Sequence, residues 1–344
     1  MSPCRMEASD MTPQVLKSFG VLSVDEYVNI AKEVWKGIHS RRTVLDYVLH
    51  VLDHASKLGE AIRRDDADLI LREIGQTANW LFGLVAKLND DKIGWESRLN
   101  IQTMFSHMIW SKYPGLCPHC FQRIYVLNEG KKVADDLVSE IKGKCKYCLS
   151  DYPKVEKRSA DPEYKKKIQS CEEELRSYAQ KSLEEIPKSL QKMEAMFQSI
   201  YEPNIALATP ESIGFHILEE TGEMSRAVID IYTDKSPDIP MERKQYMLCD
   251  EIAEVFAWLC SLTLKVRNGA KTFDKYRNRL VSYTLPVQEK EKLAKYVGLE
   301  QILWVNYRNK KDQQYECPYC RSHTCKCKLE FAWEKETNDA RENQ

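Results

Sequence analysis

Two segments of the chain set its pattern. In HILEETGEMSRAV (216–228) and MLCDEIAEVFAWL (247–259), apolar residues return every three or four positions, the spacing that gives a helix one apolar face. Long stretches elsewhere are rich in Leu, Ala, Glu, Lys and Arg, residues that favour helix. Only 13 glycines and 13 prolines interrupt them, so the expected class is mostly α rather than a run of short strands. No uninterrupted apolar run reaches the roughly 18 residues of a membrane span, and the start MSPCRMEASD has no signal-peptide core. The expected location is cytoplasmic, with no membrane partner.

The pattern occurs twice. IHSRRTVLDYVLHVLDHASKLGEAIRR, from Ile38, aligns with IYEPNIALATPESIGFHILEETGEMSRA, from Ile200, so that Gly59, Glu60 and Arg63 meet Gly222, Glu223 and Arg226. LREIGQTANWLFGLVAK then aligns with CDEIAEVFAWLCSLTLK, placing Glu73, Ile74, Trp80, Leu81, Leu84 and Lys87 opposite Glu251, Ile252, Trp258, Leu259, Leu262 and Lys265. The second copy carries extra residues between its blocks, in DIYTDKSPDIPMERK, whose prolines suggest a loop. Each copy ends in an apolar Trp segment, HMIW or QILW, and then a cysteine pair, CPHC or CPYC. The expected organisation is a first repeat over 1–150, a charged connecting helix over 151–190, and a second repeat over 191–344.

The carboxylates are what a plain core helix does not explain. On a helix, Glu219 and Glu220 project beside Glu223 with His216 one turn earlier, and Asp250 and Glu251 lie beside Glu254 on the face that Trp258 continues. Two such helices packed antiparallel bring four or five acids together, an arrangement that is unfavourable without a cation. Magnesium takes oxygen ligands and is commonly shared with phosphates, so a phosphate-chemistry site is expected. Opposite these acids the first copy has Ser56, Lys57 and Gln76, keeping Glu60 and Glu73, a poor magnesium cage.

Glu219, Glu220 and Glu223 followed after 27 residues by Glu251 and Glu254 resemble the EExxE…ExxD signature of the MazG-like, all-α nucleoside triphosphate pyrophosphohydrolases, with Glu at the last position. The resemblance covers about residues 190–270 well and 35–90 more faintly. It implies two helical-bundle repeats and hydrolysis of the α–β bond of an NTP or dNTP to a monophosphate and pyrophosphate. It further implies Glu220, Glu223, Glu251 and Glu254 as magnesium ligands, and Glu219 as a ligand or as the base that orients water. Trp258 and Lys265 are weaker candidates for substrate contacts, and Trp258 reads first as a core residue because its equivalent Trp80 occurs in the other copy regardless of its acids. Because members of the family build their sites at subunit interfaces, the two copies are expected to form a pseudo-dimer within the chain, with a homo-oligomer as the other arrangement.

Composition sets the remaining bounds. With 344 residues, 43% hydrophobic and 30% charged, the chain is long enough for two ordinary domains and too apolar for disorder. A formal net charge of −1 argues against a globally basic nucleic-acid binder. Cys117, Cys120, Cys145 and Cys148 form CxxC, 24 residues, CxxC, a spacing that suits a closed Zn–S₄ site. Cys317, Cys320, Cys325 and Cys327 form a more compact second set in which His323 can replace one thiolate. Both zincs are expected to be structural. Cys4, Cys171, Cys249 and Cys260 have no partner at ligand spacing. The basic residues beside the cysteines, KGKCKYC and CRSHTCKCK, keep a second function class open, a zinc-ribbon module that binds nucleic acid or protein on an inactive helical scaffold.

Overall fold

The computed structural model describes residues 22–39, 41–90, 104–115, 176–268 and 298–307. Of the described residues 82% are helical and none lies in a strand, which establishes a mostly α fold. No described helix is long and apolar enough to cross a membrane.

Two antiparallel helix pairs form its centre. In the first, α2 (Val44–Arg63) begins in a capping box, the Thr43 hydroxyl accepting from the Asp46 N–H while the Asp46 carboxylate accepts from the Thr43 N–H at 2.7 Å. Here α1 denotes Val24–Val34, which starts in a similar box made by Ser23 and Glu26. The chain reverses after α2 through Asp65, at φ 51°, and Asp66 caps α3 (Ala67–Leu88) by accepting from the Leu69 N–H. Asp tolerates this left-handed backbone better than most residues. From Glu73 to Leu88 every residue of α3 is buried, so it runs through the interior rather than along a surface.

The second pair is built alike, with different caps. With α4 taken as Phe105–Lys112 and α5 as Leu190–Leu207, α6 (Pro210–Thr233) opens on a Thr209 cap with Pro at its first position. It closes at Asp234, in the left-handed region with φ 48°. The partner helix α7 (Met241–Asn268) follows. The connection is shorter than the expected loop over 230–244. Ile231 is fully buried, which carries the apolar face of α6 to Thr233, and the helix resumes at Met241, directly after Pro240. Lys244, with a side chain only 2% exposed, reaches back to Asp234 at 2.7 Å and Asp230 at 3.8 Å, tying the start of α7 to the end of α6.

α2 packs on α6, joining the pairs; a Cβ at Gly214 of α6 would stand 2.6 Å from Ile62 Cδ1 of α2, so the missing side chain allows this approach. α1 lies on α3 and α5 lies on α7. The last elements cross over: α4 packs on α7, while α8 (Leu299–Tyr307) packs on α3. Aromatic rings seal the crossing. Phe256 of α7 meets Phe105 of α4 at 5.1 Å, Phe197 of α5 at 6.1 Å and Phe82 of α3 at 6.2 Å, a single apolar seam through both pairs.

The expected connecting helix is interrupted. Residues 176–181 are helical, a single 3₁₀ turn follows at Leu183–Glu185, and α5 starts only at Leu190. Pro187 cannot continue a helix, and the Ser182 hydroxyl, accepting from the Trp110 indole at 3.2 Å, anchors the break to α4. The portion over 151–175 lies outside the described residues.

Candidate metal centre

The antiparallel fit of α6 against α7 brings three carboxylates together. One oxygen each from Glu220, Glu251 and Glu254 lies within 4.8 Å of the others, close enough to share one cation. The local cause is helical spacing, since Glu251 and Glu254 are three residues apart on α7 and Glu220 faces them from α6. The Trp258 indole N–H donates to Glu220 Oε1 at 3.3 Å. A buried Glu251 oxygen, Oε2, has no hydrogen-bond partner among the described residues.

The acids are electrostatically frustrated. Burial first, then the hydrogen bond and charge of Glu254 and the charge of Glu251, push the Glu220 carboxyl well above the ordinary carboxylate range. Burial, followed by the charges of Glu254 and Glu223, pushes Glu251 up to about 7. Asp250 is also raised, chiefly by burial. One cation offsets part of this charge. Lys112, the last residue of α4, places its ammonium 2.6 Å from Glu254 and 3.4 Å from Asp250. Burial works against its charge, but Asp250 and Glu254 outweigh burial and hold its pKa above the usual lysine value.

An aromatic wall stands beside the carboxylates. The His216 ring lies flat on Trp258, centroids 4.4 Å apart and planes 9° apart, and Tyr201 of α5 stacks on Trp258 at 6.4 Å. His216 Nδ1 also meets Glu219 Oε2 at 3.0 Å. Trp258 is only half-buried, unlike Trp80 at 2%, so it borders the site instead of closing the core.

The sequence-derived candidates therefore fall into groups. Glu220, Glu251 and Glu254 converge. Glu223 is exposed and outside that trio, yet near enough for its charge to act on Glu251. Glu219 is turned to His216, with its side chain half exposed. Lys265 is eleven residues beyond Glu254 on α7, roughly 16 Å along the axis, and does not join the cluster. The sequence reading missed Lys112 and also Tyr113, which is buried and whose phenol is raised by burial and then by Tyr201 and Glu254. Lys112 ends α4 and Tyr113 caps it, and the signal was the HMIW segment, whose crossing onto α7 no local pattern announces.

The α2–α3 pair presents different chemistry at the corresponding place. Glu73 is 2% exposed and satisfied, by His54 Nδ1 at 2.7 Å and Arg72 Nε at 2.9 Å. Despite burial, those two partners hold its carboxyl below the ordinary range. Glu60 is taken by Arg63 and Arg64, Lys57 by Asp53, and the Ser56 hydroxyl by the Leu52 carbonyl. Trp80 is enclosed by Trp35 at 5.2 Å, His50 at 4.0 Å and the Arg42 guanidinium at 4.9 Å.

Cys249 and Cys260 carry free thiols within α7, half-buried and buried, and burial raises both pKa values. The cysteine sets 117–148 and 317–327, with Cys4, Cys171 and His323, lie outside the described residues. Comparison with protein-family models, curated proteins and solved structures finds no match to this chain.

Proposed function

We propose that the α6–α7 pair is the catalytic centre of a magnesium-dependent nucleoside triphosphate pyrophosphohydrolase of the MazG-like kind, converting an NTP or dNTP to its monophosphate and pyrophosphate. The observation that carries the reading is the convergence of Glu220, Glu251 and Glu254 with a buried, unpartnered Glu251 oxygen. An all-oxygen donor set suits a hard cation, and like charges held this close call for one. Glu220, Glu251 and Glu254, with Glu223 at the rim, would hold magnesium. Bound there, it supplies positive charge for the phosphates and lowers the pKa of the attacking water.

The chain's own groups supply the rest. Water adds across the α–β anhydride, the phosphorus–oxygen bond to the leaving pyrophosphate breaks, and a carboxylate takes the water proton. Glu219, steadied by His216, is the group proposed to orient that water. Lys112 contributes a fixed positive charge beside the carboxylates, where a phosphate oxygen can replace a carboxylate as its partner. The half-buried Trp258 and His216 offer a flat surface for a nucleobase.

In this reading the α2–α3 pair is a catalytically degenerate copy and the two pairs form a pseudo-dimer inside one chain. The support is the reciprocal packing, in which α4 lies on α7 and α8 on α3 while α2 meets α6. Two structural zincs at the cysteine sets and a cytoplasmic location belong to the same proposal.

The test is incubation of the full chain with each NTP and dNTP in Mg²⁺, resolving pyrophosphate from orthophosphate, beside Glu251→Gln. Monophosphate and pyrophosphate, reduced about a thousandfold in the variant, are expected. No turnover of any nucleotide would overturn the enzyme reading in favour of the zinc-ribbon interaction module.

A further inference from the structure

We propose that His50, Asp53 and His54 form a transition-metal site on the α2–α3 pair. Their spacing on α2 puts all three on one face, and one ligand atom from each lies within 4.8 Å of the others. Two imidazoles and a carboxylate are a donor set for zinc, nickel, cobalt or iron(II), not for magnesium. The inference is independent of the hydrolase reading, since it uses none of the α6–α7 carboxylates.

What separates this group from three polar residues on a helix is the support beneath it. Histidines that bind metal through one nitrogen usually give the other to a carboxylate, which fixes the ring and its tautomer. His54 fits this pattern: Nδ1 meets the buried Glu73 at 2.7 Å, and Arg72 holds Glu73 in turn at 2.9 Å, so metal binding through Nε2 would keep that support. His50 is fixed differently, its ring flat on Trp80 at 4.0 Å and 11°. His54 also lies nearly parallel to Trp80, at 6.4 Å and 15°. Both imidazoles are thus oriented before any ion arrives, which lowers the ordering cost of binding.

Asp53 completes the set from the surface. It is exposed, and its present partner Lys57 is an exposed neighbour one turn on, a pair too weak to resist a divalent ion. Three protein ligands are fewer than a transition ion takes, the incomplete ligand set of a catalytic or exchangeable site.

The experiment titrates Ni²⁺ into the full chain by calorimetry, with cysteine sites left as purified and millimolar Mg²⁺ present to fill oxygen-only sites. The expected result is about one Ni²⁺ per chain beyond what the double variant H50Q/H54Q takes up. Glu73→Gln should weaken that binding about 10- to 100-fold, as loss of a supporting carboxylate does elsewhere, and Glu251→Gln should leave it intact. Equal uptake by the unsubstituted chain and H50Q/H54Q, or loss of the ion in Glu251→Gln, overturns the proposal. Should the double variant fail to fold, Asp53→Asn decides at an exposed position. Weakening of about tenfold or more supports the site, and unchanged affinity overturns it.

Discussion

The two helix pairs surround a buried glutamate in opposite electrostatic ways. In α2–α3 the buried Glu73 has two cationic or polar partners and its carboxyl is held below the ordinary range. In α6–α7 its counterpart Glu251 faces Glu220 and Glu254, keeps an oxygen without a partner, and is pushed up to about 7, first by burial and then by its acidic neighbours. The two glutamates are matched in the sequence alignment. What differs is whether neighbours close the charge internally, as His54 does, or add to it, as Glu220 and Glu254 do. An uncompensated carboxylate is a candidate to bind a cation directly, whereas a compensated one is free only to orient a neighbour.

The largest test of this contrast removes the ammonium that α4 brings to the second pair. Lys112→Met takes the ion-pair partner from partly buried Glu254 and leaves Asp250 to the charge of Arg176, and should destabilise the magnesium-free protein by about 3 kcal/mol in urea unfolding. Millimolar Mg²⁺ should recover part of the loss. An unchanged midpoint would mean that the α6–α7 acids are not in need of compensation, and the comparison would fail.

A smaller effect separates the two pairs by packing. In α3, a Cβ on Gly83 would lie 2.6 Å from the Tyr47 ring, which is fully buried and tied through its hydroxyl to His39 at 2.7 Å, so it cannot swing aside. Gly83→Ala should cost about 2 kcal/mol. In α6, Gly222 has nothing within 4 Å of an added Cβ, and Gly222→Ala should gain about 0.5–1 kcal/mol from helix propensity. Equal effects on thermal unfolding would show that the first pair is not the more tightly closed.

The smallest effect lies in pH. Glu220 and Glu251 have folded pKa values above those of the unfolded chain, so the folded protein binds more protons and its stability falls as pH rises through those values. His50 acts in the other sense. Burial, Arg42 and His54 lower it to about 4, so its contribution grows with pH only up to its unfolded value near 6.5. The window from pH 7 to 8 therefore isolates the carboxylates. There the magnesium-free chain should lose about 1 kcal/mol, allowing for solvent screening of half-buried groups. Glu220→Gln should flatten the slope, and Mg²⁺ should stabilise more at pH 8 than at pH 7. A rising slope in this window would contradict the crowding of acids.

Several features were legible in the residues because they depend on near neighbours. The helical class follows from propensity and apolar spacing, and the pairing of Glu251 with Glu254 follows from three-residue spacing on one helix. The α6–α7 connection is shorter than its prolines suggest, because burial of Ile231 keeps α6 going to Thr233. The break before α5 was written in Pro187 but masked by the charged composition around it.

By itself, then, the sequence determined the helical class and which acids are spaced to share a helix face, since both are set by interactions within a few residues. It also determined the donor chemistry available, carboxylates in one pair and histidines in the other. The tertiary structure decided which of those acids meet: Glu220 joins Glu251 and Glu254, while Glu219 turns to His216. It also decided that Lys112, 138 residues from Asp250, would end beside the cluster, because α4 crosses onto α7. That contact arises from burying Phe105 and Phe256 against each other at 5.1 Å. Such burial is non-directional and acts between any apolar surfaces, so the partner it selects is a property of the whole packed chain.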